Sequence, residues 1–228
     1  MQVAVTGSAP EDWNSFVAGQ PDATAWHLSA ACAIGRDAFG LGTFYLAARG
    51  ADGRLAGVLP LVEQSSPFFG RFLTSLPFVN YGGILAAHPA AVEALADAAA
   101  ALGRERGAKH VELRHLGAGP LLTWPCRLDK VSMVLALPET EDLLARQLGA
   151  KLRSQIKRAD RESPEVEWGG EELLPEFYRV LAVAMRDLGT PVYPLCFFRT
   201  VMRCLGRLSR VLVLRAPAGG GTRVLAAA

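Results

Sequence analysis

The sequence predicts a mixed α/β fold in two halves of like order. Three observations carry this. Amphipathic stretches of helical period, at residues 10–18, 26–38 and 89–106, alternate with short apolar runs that read as strands. Two such runs, TFYLAAR and RLAGVLPLVE, flank Gly50-Ala51-Asp52-Gly53, a composition that joins antiparallel strands by a turn. The order helix, helix, strand, turn, strand then occurs a second time: a shift of 169 positions sets Arg223 over Arg54 and almost superposes the two turns. With 228 residues, half of them hydrophobic, the chain can bury one large core or two small ones.

The elements follow in order. Pro10 and Glu11 start the first helix, with Trp13, Phe16 and Val17 on one face. After the hairpin, RFLTSLPFVNYGGILA (residues 71–86) is apolar but broken by Pro77 and Gly82-Gly83, which suits short extended pieces around a bend. Residues 89–106 form a helix closed by Gly107, and KHVELRH alternates, with Val111 and Leu113 opposite Glu112 and Arg114. Glu112 and Arg114 share one face of the strand, where a cross-strand salt bridge is expected for them. VSMVLALP is expected to add a last strand near Pro138, closing a first half at 1–139. The second half, 140–228, is expected to hold a linking helix at 140–161, a strand at EVEWGG, helices at 171–187 and 195–206, and a hairpin turning at Gly219-Gly220-Gly221. On this reading it is incomplete, since the chain stops where the first half still has a helix and strands to come.

Composition excludes several classes of function. A net charge of +2 implies no partner, so any electrostatic argument rests on local clusters. Cys32, Cys126, Cys196 and Cys204 form no CxxC pair, and His27, His88, His110 and His115 have no ligand spacing; a metal is not expected, and the thiols read as free in a reducing compartment. MQVAVTGSAPEDW is no signal peptide, and the apolar stretch at 84–103 is too broken to cross a bilayer, so the expected location is cytoplasmic. GxGxxG, GxxxxGK[ST] and GxSxG are absent.

Three stretches can carry chemistry. In GAKLRSQIKRADRE (149–162), Leu144, Leu148, Leu152 and Ile156 form an apolar stripe; Arg153, Lys157 and Arg161 form a basic one, flanked by Lys151 and Arg158. This is either a solvated face whose aliphatic stems cover core edges or a surface that reads phosphates. In AMRDLGTPVYP (184–194), Gly189 suits a left-handed helix end and Pro191 prevents continuation. A helix corner explains those residues but not Asp187, which lies at the unfavourable end of the helix dipole and wants either Arg186 or a ligand amine. In PFVNYGG (77–83), Asn80 and Tyr81 precede two glycines that admit a backbone or a ligand, or make a plain bend.

These residues resemble a family. His27 with Phe39-Gly40, GVLPLVE, FGRFLTSLPFVNYGG, VELRH, KLRSQIKRA and MRDLGTPVYP, in that order, resemble the FemAB-like proteins found beside exosortase (PEP-CTERM) exopolysaccharide systems. KxRxxIKRA and MRDLGTPVY in tandem are the specific pair. The resemblance implies two tandem halves of the acyl-CoA N-acyltransferase (GNAT) fold and an aminoacyl or acyl transferase that forms an amide bond on a cell-envelope or exopolysaccharide-related amine. The donor is then aminoacyl-tRNA or acyl-CoA, with no resident cofactor. It also implies roles: Lys151, Arg153, Lys157 and Arg158 facing a phosphate-bearing substrate; Arg186, Asp187 and Tyr193 lining the acceptor cleft, with Asn80 and Tyr81 opposite; Asp187 orienting the amine. The Q/RxxGxG/A pyrophosphate loop of acetyl-CoA enzymes is absent. Two alternatives stay open, a CoA-dependent N-acyltransferase and a non-catalytic binding module of the same fold.

Overall fold

A computed structural model describes residues 1–116, 123–127, 131–218 and 221–228. They run in the order β1 (Gln2–Thr6), α1 (Trp13–Ala18), α2 (Ser29–Phe39), β2 (Gly42–Arg49), β3 (Leu55–Ser66), β4 (Gly70–Thr74), β5 (Leu85–Ala86), α3 (Pro89–Glu105), β6 (His110–Glu112), α4 (Glu141–Gln147), α5 (Ala150–Asp160), β7 (Glu165–Gly169), α6 (Leu174–Asp187), α7 (Leu195–Leu205), β8 (Val211–Ala218) and β9 (Gly221–Ala227). Two compact units result: Met1–Arg127 with Arg203–Leu208, and Leu128–Met202 with Ser209–Ala228. The class is the mixed α/β one that the sequence predicts.

The first unit is built on a sheet of order β1-β2-β3-β4-β6, with β5 also pairing β3; its pairings are antiparallel except β4 with β6. Successive strand residues face opposite ways, so each face has its own core. On one face α3 lays Ala91, Leu95, Ala96, Ala99 and Leu102 against Leu46, Ala48, Leu59, Leu61 and Leu73. Alanine on this seam lets the helix come close. A Cβ built at Gly57 would stand 2.9 Å from Leu95 and 3.2 Å from Ala91. On the other face Trp13 meets Tyr45 edge-on at 5.3 Å, and the indole N–H donates to the His27 carbonyl at 2.8 Å. Burial pushes the Cys32 thiol nearby up to about 12, so it stays a protonated, unreactive core group.

The second unit is smaller. Its sheet has the order β7-β8-β9, all antiparallel. Leu173, Leu174 and Phe177, with Leu195, Phe198 and Met202 of α7, pack on Val211, Val213, Val224 and Ala227.

The pairing registers of the two sheets repeat residue for residue. In the first, Gln2 to Val5 face Arg49 to Leu46; in the second, Glu165 to Trp168 face Arg215 to Leu212. Both middle strands then meet a bulge at the same place. Arg49 faces Leu55 while Ala48 faces Gly57, and Arg215 faces Val224 while Leu214 faces Ala226. The extra residue is Ala56 of β3 in one case and Leu225 of β9 in the other, and the arginine opposite it is tied to a carboxylate at a helix N-terminus, α1 in the first unit and α6 in the second. Arg49 donates twice to Asp12, at 2.8 Å each, and Arg215 donates to Glu176 as well as to Glu167 at 2.7 and 3.0 Å. The shift of 169 therefore holds for Leu55 and Val224, whereas the middle strands align Arg49 with Arg215, because the second hairpin is the longer one. Its Gly219-Gly220 lies outside the described residues.

Three expectations need correction, and one strand had no expectation. Residues 131–138 form no strand, and Val131, Met133 and Val134 are 82, 92 and 74 % exposed. A strand needs a ladder to join, and β6 at that sheet edge offers only three residues. The linking helix is two helices, because Leu148 and Gly149 are extended. The helix expected at 171–187 begins as a short 3-10 turn at 171–173. Strand β1 went unpredicted, although QVAVT alternates as a strand should.

Truncating Leu95 to alanine removes the side chain on which α3 and the sheet meet. Leu95→Ala is expected to cost about 2–5 kcal/mol, read as a lower urea midpoint with an unchanged slope.

Candidate functional site

The basic stretch forms α5, whose residues are all solvent-exposed. Leu152 and Ile156 remain 44 and 45 % exposed, so the apolar stripe is only half covered. Lys151, Lys157 and Arg158 project with no hydrogen-bond or ion-pair partner among the described residues. Arg153 behaves differently. Its guanidinium turns back onto the break between α4 and α5 and donates to the Leu148 carbonyl and, at 3.4 Å, to that of Ala145. It thereby satisfies acceptors that the broken helix leaves open.

At the end of α6, Gly189 takes φ +66° and Thr190 N–H reaches back to the Met185 carbonyl at 2.9 Å, the left-handed helix ending that the glycine predicts. Asp187 finds its partner in Arg186, 2.9 Å away, with both side chains mostly exposed. The carboxylate next to the negative helix end is thus compensated, yet stays open to solvent. Tyr193 is 45 % exposed and its ring lies 5.1 Å from that of Phe197.

In the first unit, the segment carrying Asn80 and Tyr81 is firmly held. Arg114 pairs with Glu112 at 2.6 Å and donates to the carbonyls of Pro77 and Val79 at 2.7 and 2.9 Å. The Gly82 N–H donates to the Arg114 carbonyl at 3.1 Å, and the Ile84 N–H to His115 Nε2 at 3.1 Å. The two glycines serve this packing: a Cβ at Gly82 would lie 2.6 Å from Leu76, and one at Gly83 2.7 Å from His115. The close approach they permit is made by the unit's own side chains. Asn80 itself is exposed and Tyr81 half-buried, and neither side chain is bonded to another described residue.

Sequence reasoning missed a pair of histidines beneath this segment, His27 buried and His115 half-buried. His27 Nδ1 accepts from the Thr24 N–H at 3.1 Å, and His115 Nε2 accepts from Ile84. A protonated imidazole has no lone pair to offer, so both rings are held neutral. Desolvation lowers both pKa values; for His27 the neighbouring His115 lowers it further, and the Gly83 backbone opposes the shift. His27 and His115 are far apart in sequence, and spacing arguments could not join them.

Sequence reasoning also missed an open cavity of about 770 Å³ in the second unit, between α6 and the β8–β9 hairpin. Arg179, Arg215, Arg223 and Glu176 line it, with Val183 and Leu225 among its apolar walls. Arg215 is only 19 % exposed and is held charged by Glu176 and then Glu167. Arg179 reaches Glu176 only at 4.0 Å, and Arg223 has no partner among the described residues. Two loosely held guanidiniums over apolar walls suit an anion on an apolar body. Glu176 and Arg179 share one helix face at i and i+3, the signal that could have marked them. No cluster of metal-ligating side chains occurs among the described residues, and no helix among them is long and apolar enough to cross a membrane.

No family model and no curated protein matches the sequence. Among solved structures, the fold is that of FemX: the TM-score is 0.67 at 16 % identity, over 93 % of this chain and 58 % of the FemX chain. The chain thus spans well under two thirds of the length of that protein. A ribosomal-protein-alanine N-acetyltransferase from Brucella melitensis biovar Abortus 2308 has TM-score 0.37 and 20 % identity over 60 % of this chain and 100 % of its own. A probable acetyltransferase has 0.35 and 13 % over 62 and 99 %. Neither superposes closely enough to bear on the site.

The histidine pair makes stability depend on pH. Both folded pKa values lie below the ordinary imidazole value of about 6.5, so below that pH the unfolded chain takes up protons that the folded chain refuses. Stability is therefore present above the ordinary value and is lost as pH falls. The melting temperature is expected to drop between about pH 7.5 and pH 5.5, and less steeply in His27→Gln/His115→Gln, as followed by circular dichroism.

Proposed function

We propose that this chain belongs to an aminoacyl or acyl transferase of the FemAB-like kind, acting in the cytoplasm on an amine of a cell-envelope or exopolysaccharide-related acceptor. The observation that carries the reading is the FemX fold over 93 % of the chain, together with the ordered KxRxxIKRA and MRDLGTPVY motifs on exposed elements. Lys151, Lys157 and Arg158 face the phosphates of a donor such as aminoacyl-tRNA, and Arg153 holds the helix pair that presents them. Arg186, Asp187 and Tyr193 serve the acceptor.

The chemistry asks little of the protein. The acceptor nitrogen attacks the ester carbonyl carbon, the C–N bond forms as the C–O bond breaks, and the proton lost by nitrogen ends on the departing oxygen. Positioning and a nearby proton acceptor suffice. Asp187 fits that part, being a carboxylate with one cationic partner and an open side. With acyl-CoA as donor the C–S bond breaks instead, and the same groups serve.

Two experiments test this. Lys157→Glu/Arg158→Glu is expected to weaken binding of aminoacyl-tRNA by about tenfold or more, with a shallower salt dependence than the parent. Binding unchanged by the reversal, or stabilisation by coenzyme A alone, counts against the tRNA donor. Asp187→Asn is expected to slow amide formation about a hundredfold at an unchanged melting temperature, since the pair is exposed; an unaltered rate removes Asp187 from the reaction.

A further inference from the structure

The most anomalous exposure among the described residues is at the β3–β4 turn, where Phe68 and Phe69 are 90 and 70 % exposed. Single exposed apolar residues are ordinary, but two adjacent phenyl rings and a proline on one projecting tip form a patch that water disfavours. Neither ring packs on another ring among the described residues. The tip is built, not loose: Ser66 faces Gly70 across the hairpin, and Ser66 Oγ accepts from the N–H groups of Phe68 and Phe69 at 3.3 and 3.4 Å. Pro67 has no N–H to satisfy and fixes its own φ. The two phenyl-bearing residues can therefore enter an apolar phase without taking unpaired donors with them.

Charge at the base of the hairpin selects the phase. The Lys109 side chain lies over Gly70, so close that a Cβ there would stand 3.1 Å from its ammonium nitrogen, and it has no carboxylate partner among the described residues. Arg71 and Arg106 stand beside it, sharing Glu63 at 3.6 and 2.7 Å, with Glu105 also acting on Arg106. Three cations meet two carboxylates, and the uncompensated one lies over Gly70, the residue that follows the two phenylalanines.

We propose that the Phe68-Phe69 tip docks the protein on an anionic bilayer, the rings entering the interfacial region while Lys109 and the two arginines meet lipid phosphates. This inference stands apart from the transfer reading, since nothing in it depends on the donor or on the second unit. The test is co-sedimentation of the full chain with phosphatidylcholine vesicles, with and without phosphatidylglycerol. Binding is expected with phosphatidylglycerol, weakening with salt, and little without it. Phe68→Ala/Phe69→Ala is expected to lower the bound fraction at least about tenfold, and Lys109→Ala about threefold; both variants should melt as the parent does, because the altered groups are exposed. The proposal fails if the parent ignores phosphatidylglycerol vesicles, if the double phenylalanine variant binds as well as the parent, or if sedimentation shows that the tip joins two copies of the chain instead.

Discussion

Both units depend on one kind of contact, a guanidinium opposite a β-bulge tied to a carboxylate at a helix N-terminus. A bulge costs a strand its regular ladder and twists it locally. In each sheet that cost falls on the strand after the arginine, at Ala56 of β3 or Leu225 of β9, and the arginine opposite reaches a carboxylate at a helix N-terminus. The helix end gains as well, since an acid in the first turn complements its dipole. One contact therefore joins the strand at its bulge to a helix N-terminus. Asp12 and Glu176 have their pKa values lowered chiefly by these arginine hydrogen bonds, which is the electrostatic mark of the same tie. A shared bulge, a shared arginine and matched registers are much to expect of chance, and they make the repeat a duplication of one structural unit.

That duplication was legible only in part. The order of elements and the turn at Gly50-Gly53 announce it, and the shift of 169 aligns the second hairpin strand correctly. The bulge arginines sit at a different offset because the two hairpins differ in length, so no single sliding frame superposes both Arg49 on Arg215 and Leu55 on Val224. Contacts of this kind belong to strand register, which a linear comparison does not see. The strand expected at 131–138 failed for a related reason. Apolar content alone predicted it, whereas a strand exists by virtue of a neighbour, and β6 is too short to be one.

The candidate site divides along the same line. Features governed by local chemistry, such as Gly189 at the helix end and the Arg186–Asp187 pair, stand where the residues say they should. Features governed by tertiary contact do not read from sequence. Arg153 looks identical to its basic neighbours on a helical wheel, yet it alone is committed to the α4–α5 break. Gly82 and Gly83 look like room for a ligand, and the room is filled by Leu76 and His115. His27 and His115, unremarkable by spacing, meet under the loop that presents Asn80 and Tyr81.

The separation between committed and uncommitted charge carries the functional argument furthest. A guanidinium that already serves two carboxylates, as Arg215 does, has little attraction left for a ligand and much structural work to do. Lys151, Lys157, Arg158 and Arg223 have no such partners among the described residues, so their charge remains available to an incoming phosphate or carboxylate. Asp187 lies between these cases, paired once and open on the other side. A protein that recognises a charged ligand needs rigid elements that are internally satisfied and surfaces that are not. Here the rigidity resides in the bulge clamps and the histidine-supported loop, and the unsatisfied charge resides on α5 and along the β8–β9 hairpin. That partition, more than any single side chain, is what the sequence encodes for recognition.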